Sequence, residues 1–134
     1  MSQHWPLPCA IATPQAFSDG EVDLDLVRTF ALRAEELGYH SLWVAEQLLG
    51  TTPTPEPVAF LSYLAGVTDR IRLGSAVIIA TTRNPVLLAK QLSTLDVLSN
   101  GRLIVGTALG GRPPTYSLFG GPPDRRARHF VESL

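Results

Sequence analysis

The side chains able to do chemistry are few in this sequence, and three short segments hold the informative ones. Glu46-Gln47 is a carboxylate–amide pair. It suits a polar contact to a bound cofactor or substrate, and equally a cap or a loop hydrogen bond. Thr81-Thr82-Arg83 offers two hydroxyls and a guanidinium that suit an anion, although Arg83 also suits a helix cap or an acidic partner. Gly106-Thr107-Ala108-Leu109-Gly110-Gly111-Arg112 looks like a dinucleotide fingerprint, but that motif needs a helix to begin at once and meet the pyrophosphate. Here Pro113-Pro114 follow, and helix signals resume only at Asp124. The Rossmann reading fails. Small residues in this segment either let a flat ring approach the backbone or merely permit a turn.

Other chemistries find no support. The chain has three histidines, His4, His40 and His129, and no His-x-His or His/Asp cluster, so a metal-dependent hydrolase is disfavoured. Cys9 is the only cysteine, which excludes an internal disulfide framework; inside an apolar stretch it reads as a small hydrophobe. No serine occupies a Gly-x-Ser-x-Gly elbow.

The elements that position these residues follow a regular beat. Pro8–Ala12 reads as a strand; Asp23 is an N-cap, Val27, Phe30, Ala31 and Ala34 form a helical stripe, and Gly38 suits the position just past the helix end. His40–Ala45 reads as a second strand, followed by a helix opening at Thr54-Pro55 and running to Val67. Ile71–Ala80 reads as one long third strand. Asn84-Pro85 then opens a helix with Leu88, Leu92 and Leu95 in its stripe, which stops at Asn100-Gly101. Arg102–Ala108 is the fourth strand, and Asp124 opens a helix that is unfinished at Leu134. The strands start 32, 31 and 31 residues apart. A strand and return helix at constant spacing mark consecutive βαβ units with parallel strands, apolar on both faces. The fold class is α/β, and the choice lies between an open doubly wound sheet and a closed barrel.

Equal unit lengths and the lack of a long crossover favour the barrel. An eight-stranded barrel needs roughly 250 residues, so residues 1–134 are expected to be one incomplete domain: the N-terminal half of a (β/α)8 TIM barrel, truncated in its fourth helix. Ligands of such folds bind at the C-terminal ends of the strands, which directs attention to Thr13–Phe17, Glu46–Thr54, Ile79–Asn84 and Leu109–Pro114. His40 begins its strand and falls at the opposite face.

Composition narrows the class. The 134 residues are 45% hydrophobic and carry a net charge of −1, unlike a disordered chain. The apolar runs, such as Ala76–Ala80, fall far short of the ~18 residues that span a bilayer, and Met1–Pro8 lacks the features of a signal peptide. A soluble cytoplasmic protein is expected. Residues 1–67 carry a net −6 and residues 68–134 a net +5, but Arg70, Arg72, Arg83, Lys90 and Arg102 are scattered without neighbouring aromatics. They read as solvated charge rather than a nucleic-acid surface.

Four stretches, taken in order, resemble the bacterial luciferase-like flavin oxidoreductases. They are Ala34–Val44, Arg70-Ile71-Arg72-Leu73-Gly74, Asn84–Lys90 and, most specifically, Thr94-Leu95-Asp96-Val97-Leu98-Ser99-Asn100-Gly101-Arg102-Leu103-Ile104-Val105-Gly106. Gly120 with Arg125 or Arg126 echoes a further segment of the family. The resemblance covers residues 8–134 in one register and independently implies a (β/α)8 barrel.

It further implies an oxidoreductase or monooxygenase using reduced FMN or the deazaflavin coenzyme F-420, a small organic substrate, in some members molecular oxygen, and a homodimer through the second and third units. The ring would lie across the strand tops against a bulge at Ala76, Val77, Ile78 and Ile79, with a non-prolyl cis peptide at Ala76–Val77. Gly106, Ala108 and Gly110 would line the pocket edge, and Glu46 and Gln47 would contact ring or substrate. Many members carry His where this chain has Gln47, and a glutamine cannot act as a general base. Some deazaflavin-using members carry an acid where Gly111 stands. Two rivals remain: a non-catalytic flavin-binding or inert half-barrel, and a flavodoxin-like signalling domain. The latter needs an Asp at a central strand end, where this chain has Ile79-Ala80-Thr81-Thr82.

Overall fold

The computed structural model describes residues 7–17, 20–110, 117–120 and 124–134. Gly111, Arg112 and Pro113-Pro114 lie outside the described residues. The elements are β1 (Ala10–Ala12), α1 (Leu24–Glu36), β2 (Ser41–Val44), α2 (Pro57–Val67), β3 (Arg72–Ser75), β4 (Ile78–Ile79), a 3-10 turn (Ala80–Thr82), α3 (Pro85–Leu98), β5 (Leu103–Ile104), β6 (Thr107–Ala108) and α4 (Arg126–Glu132).

All strand pairs are parallel, and the sheet runs β1-β2-β3-β5, in chain order with no reversal. The fourth unit adds next to the third instead of crossing back to the far side of the first. That is the order of a barrel wall, not of a doubly wound sheet.

The expected third and fourth strands are each interrupted. Ile71–Ala80 divides into β3 and β4 around Ala76–Val77, whose peptide bond is cis as the resemblance implies. Arg102–Ala108 divides into β5 and β6, which pair with β3 and β4 respectively. The break occurs at matching heights because Ser75 and Gly106 are bonded to one another across it.

Helix boundaries follow their caps. The Asp23 carboxylate accepts from the Leu26 N–H at 2.8 Å and the Asn84 side chain from the Leu87 N–H at 3.1 Å, as the sequence suggests. Gly38 and Gly101 take φ of +79° and +74°, ending α1 and α3. The second helix starts later than Thr54-Pro55: Glu56 is its cap, accepting from the Ala59 N–H at 2.7 Å, with Pro57 at its first position. The Thr54 hydroxyl donates instead to the Gln47 carbonyl. The last helix opens at Arg126, not Asp124.

The core lies between the sheet and the helices. Leu42, Val44, Leu73 and Ile78 from the strands meet Val27, Ala31, Leu61, Leu64, Leu88 and Leu95 from the helices. On the other face Ala10 and Ala12 of β1 are exposed, whereas Ser41 of β2 and Gly74 of β3 are buried, so β1 alone of these three strands departs clearly from the expected burial on both sides. Across that face the Trp43 indole lies over Gly74, where a Cβ would stand 2.7 Å from the ring. Its Nε1 donates to the Ser41 hydroxyl at 2.7 Å.

Two charged side chains act as staples. Glu35, at the end of α1, accepts from the backbone N–H groups of Asp69, Arg70 and Ile71 at 3.1, 2.6 and 2.8 Å, fixing the entry to β3. Arg102 is not solvated charge. It is 8% exposed, and its guanidinium donates to the Ser99, Ile71, Ala65 and Thr68 carbonyls and the Thr68 hydroxyl at 2.6–3.0 Å. Every N–H of the side chain thus has an acceptor.

Candidate functional site

The break between β3 and β4 makes a ledge at the strand tops. Its lower edge is held by Ser75, whose hydroxyl donates to the Gly106 carbonyl at 2.9 Å and accepts from the Gly106 N–H at 3.0 Å. Above it the Ala76 N–H still donates to Val44, at 2.7 Å, whereas the Ile78 N–H has moved over to the Gly106 carbonyl at 2.8 Å. The chain therefore changes neighbours within two residues. Only glycine fits at position 106, because a Cβ there would stand 2.3 Å from the Ser75 carbonyl oxygen.

Of the residues expected to line a ring, Ala76, Val77, Ile79, Gly106 and Ala108 lie along this ledge. Ala76 is exposed, while Val77, Ile79, Gly106, Ala108 and Gly110 are half-buried. Ile78 points the other way; its side chain is fully buried in the core. The result is an open shelf of backbone and small side chains with the half-buried Val77 and Ile79 among them. A flat heterocycle fits such a surface, since nothing larger than a methyl group rises from Ala76, Gly106, Ala108 or Gly110.

Glu46 and Gln47 leave β2 in different directions. The amide of Gln15 continues β1 as a side-chain strand: its Oε1 accepts from the Ala45 N–H and its Nε2 donates to the Ala45 carbonyl, both at 2.9 Å. With Ala45 fixed, the Glu46 side chain turns inward and is only 1% exposed. Its Oε2 accepts from the Ile79 N–H at 2.5 Å and from Arg83 Nη1 at 2.9 Å, and its Oε1 accepts from Arg83 Nη2. Arg83 Nη2 also donates to Glu56 Oε1 at 2.8 Å. Gln47 is exposed and folds back over Gly50, where a Cβ would collide with its amide.

These contacts decide several alternatives left open by the sequence. Arg83 pairs with acids, the Thr81 hydroxyl donates to the Leu109 carbonyl and the Thr82 hydroxyl to the Ile79 carbonyl, so the segment is committed internally instead of holding an anion. Burial alone would lower the pKa of Arg83, but its bonds to Glu46 and Glu56 outweigh that and raise it above the ordinary arginine value. Both Glu46 oxygens are occupied. His129 reaches the Thr81 carbonyl at 3.3 Å from α4, and His40 sits beside Ser41 at the start of β2. Among the described residues no group of three or more His, Cys, Asp or Glu could hold a metal ion.

Two participants were not singled out from the sequence. Gln15 lies in the strand-top segment Thr13–Phe17, and that position was its only signal. Glu56 precedes Pro57, an acid-then-proline pattern that marks a helix start.

Relatives share this architecture. The family model for luciferase-like monooxygenases matches residues 8–134. An F420-dependent glucose-6-phosphate dehydrogenase of Amycolatopsis mediterranei is 37% identical over 91 residues, 64% of this chain and 27% of that protein. A 4-hydroxyprotoasukamycin monooxygenase of Streptomyces nodosus subsp. asukaensis is 34% identical over 103 residues, 75% of this chain and 27% of that protein. The crystal structure of monooxygenase RslO1 from Streptomyces bottropensis superposes with a TM-score of 0.80 at 28% identity, covering 95% of this chain and 40% of that one. The chain thus spans well under half the length of these relatives. By the match of the family model over residues 8–134, the chain belongs to the luciferase-like monooxygenase family.

Proposed function

We propose that this chain supplies the N-terminal strand tops of an oxidoreductase that works with reduced FMN or coenzyme F-420 on a small organic substrate. The observation that carries this reading is the open ledge at Ala76–Ile79, braced from below by the Ser75–Gly106 bonds and flanked by the small residues Ala76, Gly106 and Ala108. When bound, the reduced heterocycle supplies two electrons, to an organic acceptor or to molecular oxygen.

The residues of the chain provide support and exclusion. Backbone at Ala76, Val77 and Ile79 seats one face of the ring, and the buried Ile78 side chain ties that seat to the core. Gly106, Ala108 and Gly110 form the edge. Gln47 offers an amide that donates and accepts hydrogen bonds without taking up a proton near neutral pH. Glu46, with both oxygens occupied, serves this site through the backbone it holds. We place the protein in the cytoplasm as a homodimer; among the described residues no helix is long and apolar enough to cross a membrane.

The test is to load the full-length protein with each reduced cofactor. Either substrate-dependent oxygen uptake or reoxidation by an organic acceptor is expected, and silence in both assays with both cofactors overturns the reading. A second reading, a cofactor-binding barrel without catalysis, is favoured by the non-titrating Gln47. Turnover that appears only in Gln47→His supports it.

A further inference from the structure

Among the polar groups near the ledge, one ion pair grips both sides of a single residue. Glu46 Oε2 accepts from the Ile79 N–H at 2.5 Å, and Arg83 Nη1 donates to the Ile79 carbonyl at 3.2 Å. The same two side chains pair through both oxygens and both terminal nitrogens. Ile79 is the last residue of β4, the upper end of the ledge. It is therefore held from outside the sheet by a carboxylate and a guanidinium that are 1% and 15% exposed.

The guanidinium is anchored in turn. Glu56 takes its Nη2 at 2.8 Å with one oxygen and caps α2 through the Ala59 N–H with the other. One arginine thus ties both ends of the β2–α2 loop, at Glu46 and Glu56, to the segment after the 3-10 turn. Replacing a buried ion pair by packed apolar groups is often neutral for stability, so stability alone is a weak reason for this one. A planar fork that meets both carboxylate oxygens also fixes orientation, which a lysine ammonium does not.

We infer that Arg83 is a positioning residue and Glu46 its instrument: together they fix Ile79 and so set the seat of the cofactor ring, and Glu46 is not the proton donor or acceptor. Where it concerns the ring, this inference rests on the function proposed above.

The experiment uses the full-length protein, titrated with FMN and with F-420 and followed by quenching of cofactor fluorescence and by the visible circular dichroism of the bound ring. Hydrogen exchange of the segment containing Ile79 is measured without cofactor. In Arg83→Met, Ile79 exchange accelerates and affinity falls, each by about tenfold to a hundredfold, the loss expected for one or two charge-assisted hydrogen bonds. The visible dichroism changes with them, and Arg83→Lys does not restore it. Glu56→Gln causes a smaller loss, because the Glu46 pair persists. Should Arg83→Met fail to fold, the double variant Glu46→Leu/Arg83→Met removes the pair without stranding a buried charge, and the same losses are expected. Unchanged affinity and dichroism in a folded variant, while wild type binds, overturn the inference and leave the functional reading intact. Wild-type protein that binds neither cofactor overturns the functional reading, and the ring-seating inference with it.

Discussion

The Ser75 hydroxyl closes a two-way hydrogen bond with the peptide of Gly106, donating to its carbonyl and accepting from its N–H across the gap between β3 and the loop joining β5 to β6. A serine here replaces a stretch of regular ladder. Both strands break at this height, and the ledge above exists because the pairing partners change there.

Gly106→Ala is expected to destabilise by about 1–3 kcal/mol, the usual cost of forcing a methyl into packed surroundings, because the atom it meets at 2.3 Å is backbone oxygen. Gly66→Ala makes the contrast. Gly66 lies inside α2 with nothing within 4 Å of an added Cβ, so the change should stabilise by about 0.4–1 kcal/mol. Urea denaturation of both variants checks the pair, and equal effects would count against the contact geometry.

Arg102→Lys should cost about 3 kcal/mol or more, since a lysine has three donors for five acceptors and strands buried carbonyls. The loss should appear as a lower urea midpoint. A change below about 0.5 kcal/mol, the range of an ordinary surface substitution, would show the five contacts to be incidental.

The Glu35 carboxyl gives stability a pH dependence of known sign. Its side chain is 8% exposed. Burial by itself would raise its pKa, but the N–H donors of Ile71, Arg70 and Asp69, with the charge of Arg70, bring it below the ordinary 4.5. A carboxyl lowered in the folded state contributes stability above its unfolded pKa and loses it as pH falls through the folded one. The stability difference between wild type and Glu35→Gln should therefore be constant above about pH 5 and shrink at more acid pH. Urea midpoints of both proteins that stay parallel down to pH 3 would remove Glu35 from the account.

Gly74→Ala should displace the Trp43 indole, which lies 2.7–2.8 Å from the added Cβ. Measured in a Trp5→Phe background, the Trp43 near-ultraviolet dichroism should change, and stability should fall by about 1–3 kcal/mol. An unaltered spectrum would mean the ring does not rest on Gly74.

Residue pattern alone determined the beat of strand and helix, the parallel α/β class and the caps at Asp23 and Asn84, because those depend on local backbone preference and on the period of apolar side chains. It also located the strand-top segment that holds Glu46 and Gln47, whereas the ledge at Ala76–Ile79 came from the family resemblance. The family's stretches carried the cis peptide at Ala76–Val77, which no periodicity would show. Tertiary structure decided the rest. Ile71–Ala80 reads by its pattern as one long strand, and the neighbours supplied by Val44 and Gly106 divide it. Arg83 and Arg102 look like dispersed charge in the chain; their acceptors include groups 37 and 31 residues away. Glu46 suits a ligand contact or a loop hydrogen bond equally until folding brings Arg83 and the Ile79 amide to its two oxygens. A side chain's chemical role depends on which groups surround it, and those groups come from distant parts of the chain, beyond the reach of any local pattern.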